Sequence, residues 1–305
     1  MSVGSNGVAV AVLGGAIRIS TPFLFVSLGE CLTEKSGRVN LGLEGTLVMG
    51  AMTGYGAAYL TNSPWLGILA AGLVGSVLGA LHAVLCARPR VNDVAVGIAL
   101  MLFGVGLAFF IGKPLIDATA PHLPSVSLGW WSDMPALRSA LQVNVLFVVG
   151  LALTALVVVL LKRTRWGLVL RTVGESADAA RAMGYDVNRV RLLATVVGGF
   201  FAGVGGSFLS LYYPGGWSEG LSSGQGLMAV ALVIFARWDP VRCLLASLLF
   251  GGASALGPAL QSVGVTSGYY LFNAAPYILT LGIMIATSSA KHSARDMPGE
   301  LSMAK

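Results

Sequence analysis

The chain is predicted to be all-α: a polytopic membrane helix bundle of about nine spans, within a range of about eight to ten, with one short polar helix on the cytoplasmic side. Three observations predict this. Only 10 % of the 305 residues are charged, 55 % are hydrophobic, and the mean hydropathy is +0.80. A soluble domain carries roughly 25 % charged residues, so this chain cannot cover a water-facing surface. Apolar runs recur at about the 20-residue length that crosses ~30 Å of hydrocarbon. Finally, 16 of the 19 basic residues fall in alternate loops, the pattern that marks cytoplasmic loops.

The apolar runs are 9–31, 42–60, 65–87, 93–112, 142–161, 190–211, 224–236, 241–262 and 270–289; the run 224–236 is short and either begins earlier or is partly re-entrant. Residues 1–8 contain no basic side chain, so the first run is read as a retained span, not a cleaved signal peptide. Lys35 and Arg38, Arg88 and Arg90, seven basic residues between 162 and 191, Arg237 and Arg242, and the basic residues of the tail share one side. The positive-inside rule makes that side the cytoplasm, with the N-terminus outside and the C-terminus inside. A re-entrant segment near 34–45 would change the span count. The net charge of +6 is assigned to these loops and to lipid headgroups, not to nucleic acid. The whole chain, 1–305, reads as one transmembrane domain with a cytoplasmic loop at 162–191 and an external loop at 113–141.

Several residues stand out along this order. Arg18 lies inside the first run, where it either snorkels or pairs with a carboxylate such as Glu30 or Glu44; charged groups at membrane depth are costly. Asn40 and Glu44 are four apart and would share a face if 40–44 were helical. Gly42 and Gly45 permit broken geometry there, tolerated only against protein or a water-filled path. Asn40 and Glu44 therefore either line or gate a pathway, or cap and brace the start of the second span. The pairs Gly50/Gly54, Gly75/Gly79 and Gly199/Gly203 have the small-xxx-small spacing that brings helices close. Asn92 and Asp93 read as the cap of the fourth span. The external loop holds several prolines and Trp130-Trp131, suited to a short helix, a docking surface or an interfacial anchor.

Gln225 and Asn273 fall near the outer ends of their runs and would bond either a hydroxylated solute or another helix. Tyr212, Tyr213, Trp217, Tyr269, Tyr270 and Phe272 read mainly as an interfacial belt, with stacking on a solute as the alternative. Cys31, Cys86 and Cys243 have no metal-ligand spacing and read as thiols that pack like small hydrophobes.

No Walker A pattern occurs: Gly112-Lys113 is followed by Pro114 and lacks a Gly-rich lead-in. His82, His122 and His292 are far apart, and no G-x-S-x-G elbow is present. The chain is therefore expected to bind neither ATP nor a metal ion itself and to carry no catalytic residue.

The stretch GESADAARAMGYDVNRVR at 174–191 is a polar island. Residues 175–183 read as a short helix, with Glu175 and Asp178 in its first turn and Ala177, Ala179, Ala180 and Ala182 as helix formers. Gly184 suits the left-handed position that ends helices, and Asp186 and Asn188 open the next span. Asp178-Ala179-Ala180, three residues, then Gly184 resembles the EAA-x3-G motif of ABC-transporter permeases, with Asp in place of Glu. The Ile and Leu-Pro that close that motif in maltose-type importers are absent, which fits the divergent group of ribose, branched-chain amino acid and nucleoside permeases. Residues 34–50, EKSGRVNLGLEGTLVMG, and 165–184, RWGLVLRTVGESADAARAMG, look like the corresponding segments of bacterial purine nucleoside permeases and their sugar-transporting relatives. The likeness extends over the whole chain in length and span order.

The resemblance implies one transmembrane subunit of an importer in the bacterial cytoplasmic membrane. Glu175, Asp178, Ala179, Ala180 and Gly184 would form its coupling helix, and Asn40, Glu44, Gln225 and Asn273 are its candidate pathway residues. ATP and Mg would sit in a partner ABC ATPase. A second homologous permease chain and an extracytoplasmic substrate-binding lipoprotein would complete the assembly. The rival is a secondary transporter driven by an ion gradient; it needs a mid-span carboxylate, for which Glu44 is the candidate.

Overall fold

A computed structural model describes residues 5–127, 142–262, 274–287 and 297–303. Each of the nine predicted apolar runs contains a helix there. They are α1 (Ser5–Lys35), α2 (Leu43–Thr61), α3 (Pro64–Cys86), α4 (Asp93–Gly112), α5 (Val145–Arg163), α8 (Val187–Leu211), α9 (Gln225–Phe235), α10 (Pro240–Ser262) and α11 (Ala275–Thr287). Three further α-helices are polar, α6 (Arg165–Glu175), α7 (Ala177–Ala182) and α12 (Gly299–Met303), and a single 3-10 turn at Lys113–Leu115 follows α4. The all-α expectation is modified by one antiparallel ribbon before α5, β1 (Ser125–Ser127) paired with β2 (Gln142–Asn144) through Val126 opposite Val143. Trp130 and Trp131 lie outside the described residues.

Of the nine predicted spans, six among the described residues, α1 from Val10, α3, α4, α5, α8 and α10, are long and apolar enough to cross a membrane. The 11 residues of α9 span only about 16 Å, half the hydrocarbon thickness. Hydropathy alone does not distinguish a full crossing from a half-length helix buried among others. α2 is the other special case. Residues 36–42 fold back from the end of α1, and Gly45 then packs against the carbonyls of Leu100 and Met101. Leu100 lies seven residues into α4, so α2 begins about 10 Å inside the bundle.

α8 is the hub, and glycine makes it so. A Cβ on Gly199 or Gly203 would collide with the carbonyl oxygen of Gly75 or Ala71 on α3, and one on Gly206 with that of Leu47 on α2. Gly79 meets Thr195, Gly50 meets Gly203, and Gly54 meets Ser207. All three small-residue pairs seen in the sequence therefore lie where α2 and α3 cross α8, backbone against backbone. Within a bilayer such close packing, not hydrophobicity, holds helices together. Gly75→Leu is expected to destabilise the fold by about 3 kcal/mol or more, because neither backbone can yield. Gly106→Leu is the control, since a Cβ there meets nothing within 4 Å. Thermal unfolding in detergent would show a lowered midpoint for the first variant and an unchanged one for the second.

Among the described residues, the basic loops at 35–38, 88–93, 162–171 and 237–242 meet at one end of the bundle, and Lys291, Arg295 and Lys305 lie outside the described residues. Arg38 pairs with Asp93 at 3.2 Å and Lys162 with Asp239 at 3.4 Å. Burial pulls the Arg38 guanidinium below its ordinary pKa, and Asp93 opposes that shift. Asn92 caps α4 as expected, accepting from the N–H groups of Val94 (2.8 Å) and Ala95 (3.1 Å). Cys31, Cys86 and Cys243 are buried thiols.

Candidate functional site

Three features of the bundle are candidates for function: a carboxylate joining two inward-starting helices, a cavity beside it, and a short exposed helix at the basic end.

Glu44, in the first turn of α2, is 7 % exposed. Its Oε1 accepts hydrogen bonds from Ser222 Oγ at 2.5 Å and Gly224 N at 3.1 Å, and its Oε2 accepts from Gly226 N at 2.6 Å. These donors lie at the N-terminus of α9, where free N–H groups and the helix dipole favour negative charge. Gly224, at φ +81°, makes the turn that aims them. Asn40 does not share a helix face with Glu44, because α2 starts only at Leu43. Asn40 instead holds the fold-back: its N–H donates to Glu30 Oε1 at 2.7 Å, and its Oδ1 accepts from Gly42 N at 2.9 Å.

Glu30 and Glu34, one turn apart on α1, are both buried. Glu34 accepts from the Trp238 indole N–H, and Cys31 Sγ donates to the Trp238 carbonyl at 3.2 Å. The last turns of α1 thus grip both the fold-back and the turn after α9. Two acids four apart in an apolar run were the available signal for this clamp.

Arg18 pairs with neither Glu30 nor Glu44. Glu30 is twelve residues further along α1, about 18 Å away, and the Arg18 guanidinium lies 5.5 Å from the centre of the Tyr213 ring. A cation over a ring face is favourable where water is scarce.

Tyr213 lines a half-open cavity of about 210 Å³ bordered by α1, the end of α8, the loop that follows it, α9, α10 and α11. Phe23, Phe208 and Tyr277 supply further aromatic wall, and Ser254 and Gln225 supply polar groups. Gln225 Oε1 is buried and accepts no hydrogen bond from the described residues. The mix of aromatic wall and few polar groups suits a small solute. The volume is below the roughly 300 Å³ at which ligand pockets begin, so in this conformation it accommodates part of a solute. Gln225 was expected near an outer span end; it is the first residue of the 11-residue α9, beside the Gly224 and Gly226 N–H groups that bond Glu44. Asn40 and Glu44 do not line this cavity, and Asn273 lies outside the described residues. Trp217, expected at the interface, is buried against Gly112 and Phe109.

At the basic end, the predicted single helix over 175–183 is two. Ser176 is extended, so Glu175 closes α6 and does not open α7. The break arises because the Ser176 hydroxyl caps α7, accepting from Ala179 N at 3.2 Å. At the other end Gly184 takes φ +86°. Gly184 N donates to Arg181 O at 2.9 Å and Tyr185 N to Ala180 O at 3.0 Å, the paired bonds of a Schellman cap. Ala180 is buried with Ala177, Val173 and Val187, seating the helix. Asp178, Ala179 and Gly184 are exposed, beside Met183 (57 %) and Tyr185 (41 %). The result is a capped helix that offers Ala179, Ala182 and Met183 to solvent beside the exposed ion pair of Asp178 and Arg181 at 2.7 Å. Asp186 then caps α8, accepting from Arg189 N at 3.1 Å.

Residues 7–288 match the family described as branched-chain amino acid transport system / permease component. The chain belongs to this permease family. TsgC13 of Haloferax volcanii, a permease protein named for glucose ABC transport, is 35 % identical to it over 263 residues, or 84 % of this chain and 80 % of that one. The guanosine ABC transporter permease protein NupQ of Bacillus subtilis is 30 % identical over 278 residues, covering 86 % and 87 %. The nucleoside ABC transporter permease protein NupC of Lactococcus lactis is 29 % identical over 290 residues, 90 % of each chain. Each of these three organisms also holds a second, more distant match. Family and apolar helices together make this a multi-pass membrane protein.

Proposed function

We propose that the permease is the transmembrane subunit of an ATP-driven ABC importer, carrying a nucleoside or related sugar-like solute into the cytoplasm by alternating access. The observation that carries this reading is α7: short, capped at both ends and exposed at the end of the bundle where the basic loops gather. Such a surface is where a partner ATPase would deliver work to a chain that has no phosphate-binding loop of its own. ATP and Mg belong to that partner ATPase, which binds on the cytoplasmic side. The second matches in the relatives' organisms support a heterodimer with a homologous permease, and the opposite face would receive solute from a binding lipoprotein. In this topology the N-terminus faces out, the C-terminus faces the cytoplasm, and α2 and α9 are the inward-starting elements of the nine-helix bundle.

The names of NupC, NupQ and TsgC13 support nucleosides and sugars as the solute class. The cavity at Gln225 is consistent in chemistry: rings for stacking on a base, an amide for a base edge or sugar hydroxyl. Gln225→Leu is expected to raise the KM for uptake by about tenfold, the loss of one hydrogen bond to solute, with the amount of assembled protein unchanged. Uptake of a panel of nucleosides and monosaccharides into proteoliposomes, with the co-purified partners and ATP, tests both the class and the residue. Uptake driven by an ion gradient without ATP would favour the secondary transporter. The three hydrogen bonds that Glu44 already accepts weaken that rival, because its candidate ion-coupling carboxylate is engaged as a brace.

A further inference from the structure

We infer that the C-terminal helix α12 is a strut that carries motion of α7 to the fold-back between α1 and α2, with Glu300 as its positioning residue. This rests on the coupling role proposed for α7.

Glu300 Oε1 accepts a hydrogen bond from Ala177 N at 2.8 Å. That N–H is the first of α7, one that no carbonyl within the helix can take. Glu300 Oε2 accepts from Arg191 Nη2 at 2.9 Å, and Arg191 Nε donates to the Ser36 carbonyl at 3.1 Å. The pair is well shielded, with the side chains of Arg191 and Glu300 12 % and 23 % exposed, so it is less weakened by solvent than a surface pair. Two glycines let the strut sit tight. Gly299 packs on the Glu175 carbonyl, and Gly37, at φ +83°, packs on Glu300 Cβ. One carboxylate therefore touches the start of α7, the base of α8 and, through Arg191, the first residues of the fold-back.

α7 is joined to its neighbours at Ser176, in extended conformation, and at Gly184, in left-handed conformation. Neither joint continues a helix rod, so the chain itself transmits a tilt of α7 poorly. The strut bypasses both joints. From Ser36 the path continues to Asn40, which Glu30 holds, then to Glu44, which holds Gly224 and Gly226 beside Gln225 and the cavity. Each step is a hydrogen bond or a short backbone link, which makes the docking face and the cavity parts of one connected network.

The test is the coupling ratio, solute moved per ATP hydrolysed, of the complete co-purified complex in proteoliposomes. Glu300→Ala is expected to leave ATP hydrolysis near wild type and to lower the ratio by about tenfold, a typical coupling factor. Glu300→Gln keeps the side-chain volume and an oxygen for Ala177 but loses the charge facing Arg191, and is expected to lower it by about fivefold, the low end of such coupling. The ratio is measured per assembled complex, so a purely structural effect on yield does not move it. If Glu300→Ala does not assemble, Glu300→Gln decides alone. A wild-type ratio in the Glu300 variants, with a lowered ratio in Gly184→Trp, overturns the strut and leaves the coupling helix standing. Wild-type ratios in all of them overturn both.

Discussion

Gly184→Trp is expected to abolish solute uptake while the protein remains folded in the membrane. The backbone at Gly184 has φ +86°, where a residue with a Cβ pays roughly 1–2 kcal/mol. That cost falls on the cap of one six-residue helix, far from the glycine crossings of α8. There is also room, since a Cβ at Gly184 would meet nothing within 4 Å. The fold therefore tolerates the indole, but the docking face does not, because the ring projects between Met183 and Tyr185. Gly184→Ala separates the two effects: it carries the backbone strain without the bulk and is expected to keep most of the uptake. Uptake and ATP hydrolysis in the reconstituted complex are the readouts. Wild-type transport in the Trp variant would remove α7 from the coupling interface.

Glu44→Ala is expected to have the largest effect on stability. Ser222 Oγ, Gly224 N and Gly226 N would lose their shared acceptor. A buried donor left without a partner costs about 1–3 kcal/mol, so the loss is of the order of several kcal/mol even allowing for non-additivity. Little folded protein should survive extraction in detergent. Glu44→Gln keeps one carbonyl oxygen but turns an NH₂ group toward a donor, and should fall between the two. The measurement is the unfolding midpoint, with uptake normalised to folded protein. A normal midpoint with lost uptake would return Glu44 to a direct role in the solute path; a lowered midpoint identifies it as the brace that holds α9 in place.

The helices were legible because hydrophobicity is written residue by residue. The run predicted at 93–112 is α4, and 241–262 became Pro240–Ser262. The glycine pairs were legible as contacts because spacing alone puts Gly75 and Gly79 on one face. Gly184 was legible because the left-handed position is chemically special. Depth was only partly legible: 224–236 is short for a span and 34–45 is open to re-entrant geometry, but only the fold sets the start of α2 beside Leu100 and the length of α9 at 11 residues. Partners distant in the chain were hidden. Nothing near Glu44 announces Ser222, and nothing near Glu300 announces Ala177 and Arg191, which only the fold brings together. The split at Ser176 was within reach, since a Ser before an alanine run is a cap signal, but the strong helix formers on either side masked it.

The central claim is that this chain works as the membrane half of an ATP-driven machine. The most direct measurement is purification of the tagged chain from native membranes in mild detergent, with mass spectrometry of whatever accompanies it. The account predicts an ATPase bearing a phosphate-binding loop, a second permease chain and a lipoprotein. A homo-oligomer free of any ATPase, and still active in uptake without ATP, would contradict it.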